Sequence, residues 1–132
     1  MLNPSYKVIV AGSRAATSEG TYRLLCEKLD ILLSQKQSTH RIIIISGTAS
    51  GADKLGERYA ADRDHELRQY PADWDQYGKS AGYKRNVQMA ENADALVALW
   101  DGKSRGTKHM LDIAKEHGLP SRTIYTIHQP QS

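Results

Sequence analysis

A chain of 132 residues, 39% hydrophobic and 25% charged, is long enough to bury its own core, and we expect a single domain over residues 1–132. This composition excludes an intrinsically disordered chain, whose apolar content would be lower. The formal net charge of +3 is small and basic residues alternate with acidic ones, so the charge fits an anionic partner without requiring a nucleic acid.

Cysteine content and apolar runs indicate the cellular compartment. Cys26 is the single cysteine, so no internal disulfide can form, which favours a reducing, cytoplasmic location. The sequence begins without a basic segment followed by an apolar run, and no apolar stretch approaches the roughly 18 residues of a membrane span. We therefore expect neither secretion nor membrane insertion.

Strand and helix patterns alternate along the first half of the chain. The β-branched run Tyr6–Ala11, ended by Gly12, predicts a buried strand. Thr17 and Ser18 are suited to cap the helix that follows. Its apolar residues recur at helical spacing and form one stripe: Tyr22, Leu25, Leu29, Leu32 and Leu33.

The next strand is the most apolar run in the sequence. Ile42–Ile45, four β-branched residues in succession, predicts a central parallel strand. A second helix is predicted from about Gly51, and the more polar segment His65–Tyr70 predicts an edge strand. The inner face of the second helix consists of Ala52, Leu55 and Tyr59.

The second half continues the alternation. Lys79–Ala93 predicts a helix and Ala95–Trp100 a buried strand. The last helix is predicted over Thr107–His117, with Gly118 as its C-cap and Pro120 just beyond, and Thr123–Ile127 predicts an edge strand. Residues 128–132 are predicted to be a disordered tail. On the helix before the fourth strand, the residues predicted to face inward are Val87, Ala90 and Tyr83.

Five alternations of strand and helix predict a Rossmann-like α/β domain with a five-stranded, mainly parallel sheet and helices on both faces. In such sheets ligands bind at the carboxyl ends of the strands, where helix amino termini attract anions. Four loops there carry the candidate ligand-binding residues. They are Gly12, Ser13 and Arg14; Ser46, Gly47, Thr48, Gly51, Ala52 and Asp53; Trp74; and Asp101, Gly102, Lys103, Ser104, Arg105, Gly106 and Thr107.

Glycine-rich loops also occur as plain turns, and neither glycine-rich loop of this chain has the full spacing of a known phosphate-binding motif. Gly47 and Gly51 allow close backbone approach to a phosphate, but their spacing is not that of the dinucleotide fingerprint. Gly102–Ser104 resembles the end of a P-loop, yet the upstream glycine position holds Val97. Both a Walker-type ATPase and an ordinary dehydrogenase are disfavoured.

The charged and aromatic candidates have a structural alternative beside each functional role. Arg14 and Lys103 are predicted to bind phosphate, although both also suit a solvated surface. Arg85 and Asn86 follow in the first half of their helix, and Trp74 is suited either to stack on a base or to pack its loop.

Carboxylates near these loops are the candidates for sugar binding or acid–base chemistry. Asp53 is explained by the helix dipole alone, whereas Asp101 is suited to bind a ribose hydroxyl. Asp73 and Asp75 lie in the loop after the third strand. The five histidines show no ligand spacing, so no metal or other cofactor is expected.

At these loops the chain resembles the SLOG superfamily, which groups the Lonely Guy phosphoribohydrolases with DprA, and most closely its YspA-like branch. The segments that carry the resemblance are AGSR at Ala11–Arg14, SGTASGAD at Ser46–Asp53, PADW at Pro71–Trp74, AGYKRN at Ala81–Asn86 and ADALVALWDGKSRGTKHM at Ala93–Met110. The resemblance implies a Rossmann-like fold, a nucleotide-type ligand and a homodimer.

The resemblance also implies specific roles. The Lonely Guy arginine matches Arg85, and the Gly-Thr phosphate turn matches Gly106 and Thr107. The catalytic glutamate corresponds to Met110, which offers no carboxylate for glycosidic cleavage. Either another acid, Asp73 or Asp101, acts with Arg85 in catalysis, or the protein binds without cutting.

Three functions follow, in order of preference. The first is a sensor or sequestering module that binds a nucleotide or a species related to NAD or ADP-ribose. The second is a phosphoribohydrolase-like N-glycosidase with a relocated acid. The third is single-stranded nucleic-acid binding, which ranks last because the sequence lacks a dense basic stripe.

Overall fold

A computed structural model describes residues 3–126, which contain one parallel β-sheet. All neighbouring strands pair in parallel, in the order β3-β2-β1-β4-β5. The sheet thus confirms the Rossmann-like prediction. The strands are β1 (Ser5–Gly12), β2 (Arg41–Ser46), β3 (Glu66–Gln69), β4 (Ala95–Trp100) and β5 (Ser121–Tyr125).

Helices cover both faces of this sheet. α1 (Glu19–Leu33) and α2 (Ala52–Asp62) pack on one face, whereas α4 (Ala81–Glu91) and α5 (Arg105–Glu116) pack on the other. A one-turn helix, α3 (Trp74–Tyr77), precedes a 3₁₀ turn and α4. In the described part of the chain, no helix has the length and apolarity to cross a membrane.

The inner strands are apolar throughout because successive side chains point to opposite, equally buried faces. In β1, Val8 and Val10 join the core under α1 and α2, while Ile9 and Ala11 join the core under α4 and α5. The run Ile42–Ile45 divides in the same way. A continuous β-branched run, which does not alternate with polar residues, is therefore the signature of these doubly covered strands.

β1 lies at the centre, between β2 and β4, and this position creates the site. The chain first extends the sheet to one side of β1 and then returns to build the other side. The loops that leave β1 and β4 consequently diverge above the sheet. Such a switch point leaves a crevice at the carboxyl edge, where open α/β sheets bind their ligands.

Most element boundaries differ from the predictions by one or two residues, and the larger differences concern the helix before β4, the last helix, β5 and the orientation of Tyr83. The segment predicted as a helix from Lys79 instead contains a 3₁₀ turn over residues 78–80 before α4 begins. The last helix begins two residues earlier than predicted, because Ser104 is its N-cap, and β5 likewise begins earlier, at Ser121. Tyr83 was wrongly predicted to face inward, since it is 48% exposed. Ile127 and the predicted tail lie outside the described residues.

Candidate functional site

An open cavity of about 550 Å³ lies at the carboxyl edge of the sheet, above β1 and β4. Its volume falls within the range of small-molecule sites. Many of the predicted residues line it: Gly12, Ser13, Arg14, Asp53, Trp74, Arg85, Asn86, Asp101, Ser104, Gly106 and Thr107. Loops far apart in sequence therefore do converge on one concave surface.

Other predicted residues do not line the cavity. Some support its walls from behind and others face solvent on the surrounding loops. They are Ser46, Gly47, Thr48, Gly51, Ala52, Asp73, Gly102, Lys103 and Arg105. Sequence reasoning also missed several lining residues, most of them apolar or aromatic: Ala11, Ala15, Ala49, Lys79, Gly82, Tyr83 and Met89, together with Met110, which was considered only as a replaced acid.

The loop after β1 is tied to the loop after β4 by buried Ser13. Its N–H donates to the carbonyl of Leu99 at 2.8 Å, and its hydroxyl accepts from the N–H of Asp101 at 3.1 Å. A side chain at Gly12 would overlap the Leu99 backbone, so glycine is required where these strand ends meet. The next residue, Arg14, extends from this braced loop with its side chain exposed at the cavity.

The loop after β2 packs beneath the first loop. Gly51 has a φ of 74°, in the region that favours glycine, and a side chain there would overlap the backbone of Arg14. The N–H of Ala52 donates to the carbonyl of Ser13 at 3.1 Å. These two residues thus hold the first loop in place, a structural role in a segment where a ligand contact was predicted.

Arg85 and Asp53 approach each other above Gly47. Arg85 donates from Nη1 to the Gly47 carbonyl and from Nε to the Asn86 side-chain oxygen, at 3.1 Å for the latter. A Cβ on Gly47 would lie 2.7 Å from Arg85 Nη1 and 3.0 Å from Asp53 Oδ2. The absence of a side chain at Gly47 therefore gives both charged groups their positions.

Asp53 is a buried carboxylate, 5% exposed, in the first turn of α2. Burial raises its pKa to about 6, although the N–H of Ala49 and the charge of Arg85 both favour the ionised form. The Ala49 N–H donates to Oδ2 at 3.0 Å. Burial also lowers the pKa of Arg85, an effect that nearby Arg14 reinforces and Asp53 opposes.

Asn86 connects the Arg85 side chain to the opposite helix. While its oxygen accepts from Arg85, its Nδ2 lies 3.4 Å from the Gly106 carbonyl and 3.1 Å from His109 Nδ1. Burial lowers the pKa of His109. The ring of Tyr83 stacks on His109 at a centroid distance of 4.3 Å. This network fixes α4 against α5 on the side of the cavity where Arg85 stands.

The loop after β4 uses its own polar groups to begin α5. Asp101 Oδ1 accepts from the N–H groups of Ser104 and Lys103, both at 2.8 Å, and these bonds lower the Asp101 pKa. Ser104 caps α5 by accepting from the Thr107 N–H at 3.5 Å and from the Thr107 hydroxyl at 3.0 Å. The Thr107 donors predicted to bind phosphate are therefore engaged within the cap, whereas the earlier N–H groups of α5 have no intrahelical acceptor.

Aromatic rings and methionines make the rest of the cavity apolar. Trp74 is 52% exposed and packs beside Gly82, where a Cβ would lie 3.4 Å from its ring. Met89 and Met110 are each 1% exposed and form the floor. In residues 3–126 no cluster of histidine, cysteine or acidic side chains is arranged to hold a metal ion. The cavity suits a ligand with one anionic part and one flat, apolar part.

The parallel sheet with this cavity at its carboxyl edge defines a Rossmann-like α/β protein. A model of the YspA, cpYpsA-related SLOG family matches residues 6–77, more than half of the chain. The chain therefore belongs to that family, and the resemblance seen in its loop motifs is confirmed.

Among known proteins, the gene 61 protein of Mycobacterium phage D29 is 31% identical over 121 residues, covering 86% of this chain and 92% of the phage protein. Solved structures share the fold at 17% identity. TM1055 superimposes with a TM-score of 0.63 over 89% of this chain and 72% of its own length. DprA from Streptococcus pneumoniae gives 0.65 over 98% of this chain, which spans 51% of that protein. DprA from Helicobacter pylori, described as binding single-stranded DNA, gives 0.62 over 98% of this chain and 67% of its own length.

Proposed function

We propose that this protein binds a nucleotide or nucleotide-derived ligand at the carboxyl edge of the sheet and holds its phosphate with Arg14 and Arg85. The observation that carries the proposal is the pair of guanidinium groups at one cavity. Neither takes part in any of the ion pairs of the described residues. Arg85 is also half-buried, and Nη2 has no hydrogen-bond acceptor among residues 3–126.

Asp53, the carboxylate that faces Arg85, does not reach ion-pair distance from it. Burying the Arg85 charge is therefore costly, and an anionic ligand would lower that cost. Guanidinium groups bind phosphate oxygens through paired N–H donors, which makes arginine well suited to this task. The apolar wall beside them, with exposed Trp74 at its rim, offers a surface for a nucleobase. A nucleotide supplies both parts in one molecule.

Calorimetric titration with AMP, ADP-ribose and NAD tests this proposal. Arg85→Gln should weaken binding at least about tenfold, because one charged hydrogen-bonding group is lost. Arg23→Gln is the matched control, since Arg23 is exposed on α1 and does not line the cavity. Equal affinity of wild type and Arg85→Gln for every nucleotide would refute the assignment.

Mass spectrometry of the same mixtures distinguishes binding from catalysis. Unaltered nucleotide retained by the protein identifies a sensor or sequestering module. Free base with ribose phosphate identifies the N-glycosidase alternative. Of the two acids considered for that reaction, Asp101 lines the cavity, whereas Asp73 caps α3 by accepting from the Gln76 N–H at 3.1 Å. Asp101→Asn is therefore the first variant to assay if products appear.

DprA from H. pylori is described as binding single-stranded DNA, so a single-stranded oligonucleotide belongs in the titration as well. Binding to a phosphate backbone would weaken steeply with added salt, whereas binding of one nucleotide in a cavity would respond far less.

We also propose a cytoplasmic homodimer, with a solution mass about twice the 14.7 kDa of one chain. Light scattering measures that mass directly.

A further inference from the structure

Asp53 is a negative charge inside a cavity proposed to hold an anion. Its carboxylate lines the cavity, yet it is 5% exposed and accepts a hydrogen bond from the Ala49 N–H. Asp53 Oδ2 and Arg85 Nη1 lie close together because both border the space where Gly47 has no side chain. Any phosphate that Arg85 holds would therefore lie within the electrostatic reach of Asp53.

The charges that face Asp53 can be counted. Arg85 approaches from α4, and Lys54 and Glu57 belong to the same helix as Asp53. Lys54 and Glu57 are paired with each other at 3.3 Å, so they largely cancel. Arg14, Lys79 and Asp101, all exposed, are the other charged side chains that line the cavity. The lining thus carries three cationic and two anionic side chains, a net charge of +1 when both carboxylates are ionised.

We propose that Asp53 sets the phosphate-ester specificity of this cavity, favouring a singly charged phosphate group, as in a phosphodiester or pyrophosphate bridge, over the doubly charged terminal phosphate of a monoester. The inference rests on the proposed nucleotide site. A singly charged phosphate matches the net charge of the cavity lining. The second charge of a monoester would instead meet an ionised carboxylate in surroundings that screen charge poorly.

The test uses AMP and its methyl ester, in which one phosphate oxygen carries a methyl group, so the two probes differ in one charge and one methyl group. At pH 7.5 the wild type should bind the ester at least as tightly as AMP. In Asp53→Asn, affinity for AMP should rise about tenfold relative to the ester, because one opposing charge is gone. Asp112→Asn is the matched control, since it removes one carboxylate of α5 that is exposed and outside the cavity.

The possible outcomes separate the two proposals. If both probes bind the wild type and Asp53→Asn leaves their affinity ratio unchanged, the specificity role is overturned while the nucleotide site stands. Weaker binding of both probes to Asp53→Asn also overturns it, because the carboxylate would then be a direct ligand contact. If neither probe binds the wild type, the nucleotide site fails and the inference falls with it.

A pH titration of ester binding gives a second measurement that does not depend on the ester changing its own charge. Between pH 8 and 5, affinity should increase more in the wild type than in Asp53→Asn, with the excess centred near the Asp53 pKa of about 6. His109 also gains charge in acid, but it does so in both proteins, so the difference isolates Asp53. Parallel curves would overturn the proposal.

Discussion

Replacing Asp53 with asparagine should stabilise the protein at neutral pH, contrary to the usual effect of changing a buried polar residue. Burial raises the Asp53 pKa from 3.8 to about 6, so the folded state binds a proton more tightly than the unfolded state does. Two pKa units correspond to roughly 2–3 kcal/mol. Asparagine keeps an oxygen that can accept the Ala49 N–H without carrying the buried charge.

The sign follows from proton linkage. Between about pH 4 and 6 the folded protein holds more protons than the unfolded chain, so the Asp53 contribution to stability falls as pH rises and is level above that window. Urea unfolding at pH 4.0 and 7.5 measures this directly. The stability of Asp53→Asn relative to wild type should increase by roughly 2–3 kcal/mol from the lower to the higher pH.

Asp101→Asn provides a contrast of opposite sign. The N–H groups of Ser104 and Lys103 lower the Asp101 pKa, so its carboxylate stabilises the fold above the unfolded pKa and loses that effect in acid. Its replacement should therefore cost more stability at pH 7.5 than at pH 4.0.

A relative stability of Asp53→Asn that is independent of pH, or that falls as pH rises, would refute our description of Asp53 as a buried carboxylate with a raised pKa.

Three glycine substitutions test close packing and the site together. Gly56→Ala should lower the unfolding free energy by about 1–3 kcal/mol, because its Cβ would lie 2.6 Å from Val10 Cβ in β1. Gly106→Ala meets no atom within 4 Å and should stabilise α5 by up to about 1 kcal/mol, measured by the same urea unfolding. Gly47→Ala should weaken AMP binding about tenfold with little loss of stability, because its Cβ meets only side-chain atoms, the flexible end of Arg85 and the carboxylate of Asp53. Unchanged calorimetric affinity in Gly47→Ala would separate Arg85 from ligand binding.

The strands of the sheet could be predicted from the sequence alone, because a strand that is buried on both faces is a continuous apolar run. Ile42–Ile45 and Ala95–Trp100 are apolar without alternation, and both are inner strands. The polar segment Glu66–Gln69 is an edge strand, as its composition predicted. The two short helical turns in residues 74–80 were not predicted, because each has too few residues to show the hydrophobic spacing of a helix.

The internal arrangement of the site required the three-dimensional structure. Arg85 and Gly47 are 38 residues apart, and their contact depends on how α4 packs over the loop after β2. Gly51 looked like a phosphate-loop glycine, but its freedom is used to pack under Arg14. Tyr83 looked like a core aromatic at helical spacing, yet it stacks on His109 at the helix surface. Each of these differences arises from contacts between segments, which spacing along one segment does not encode.

The position of the buried carboxylate illustrates this limit. The family resemblance directs attention to α5, where Met110 occupies the place of an acid and packs into the apolar core under α4 and α5. On α2, by contrast, the helix dipole alone explained a carboxylate at Asp53, so sequence reasoning had no need of a second role. The packing of α4 then brings Arg85 over that carboxylate. Asp53 thus has a sufficient explanation from the sequence, yet the structure makes it the most unusual electrostatic feature of the cavity. Comparing the affinities for AMP and its methyl ester tests whether Asp53 selects the charge of the phosphate as well as beginning α2.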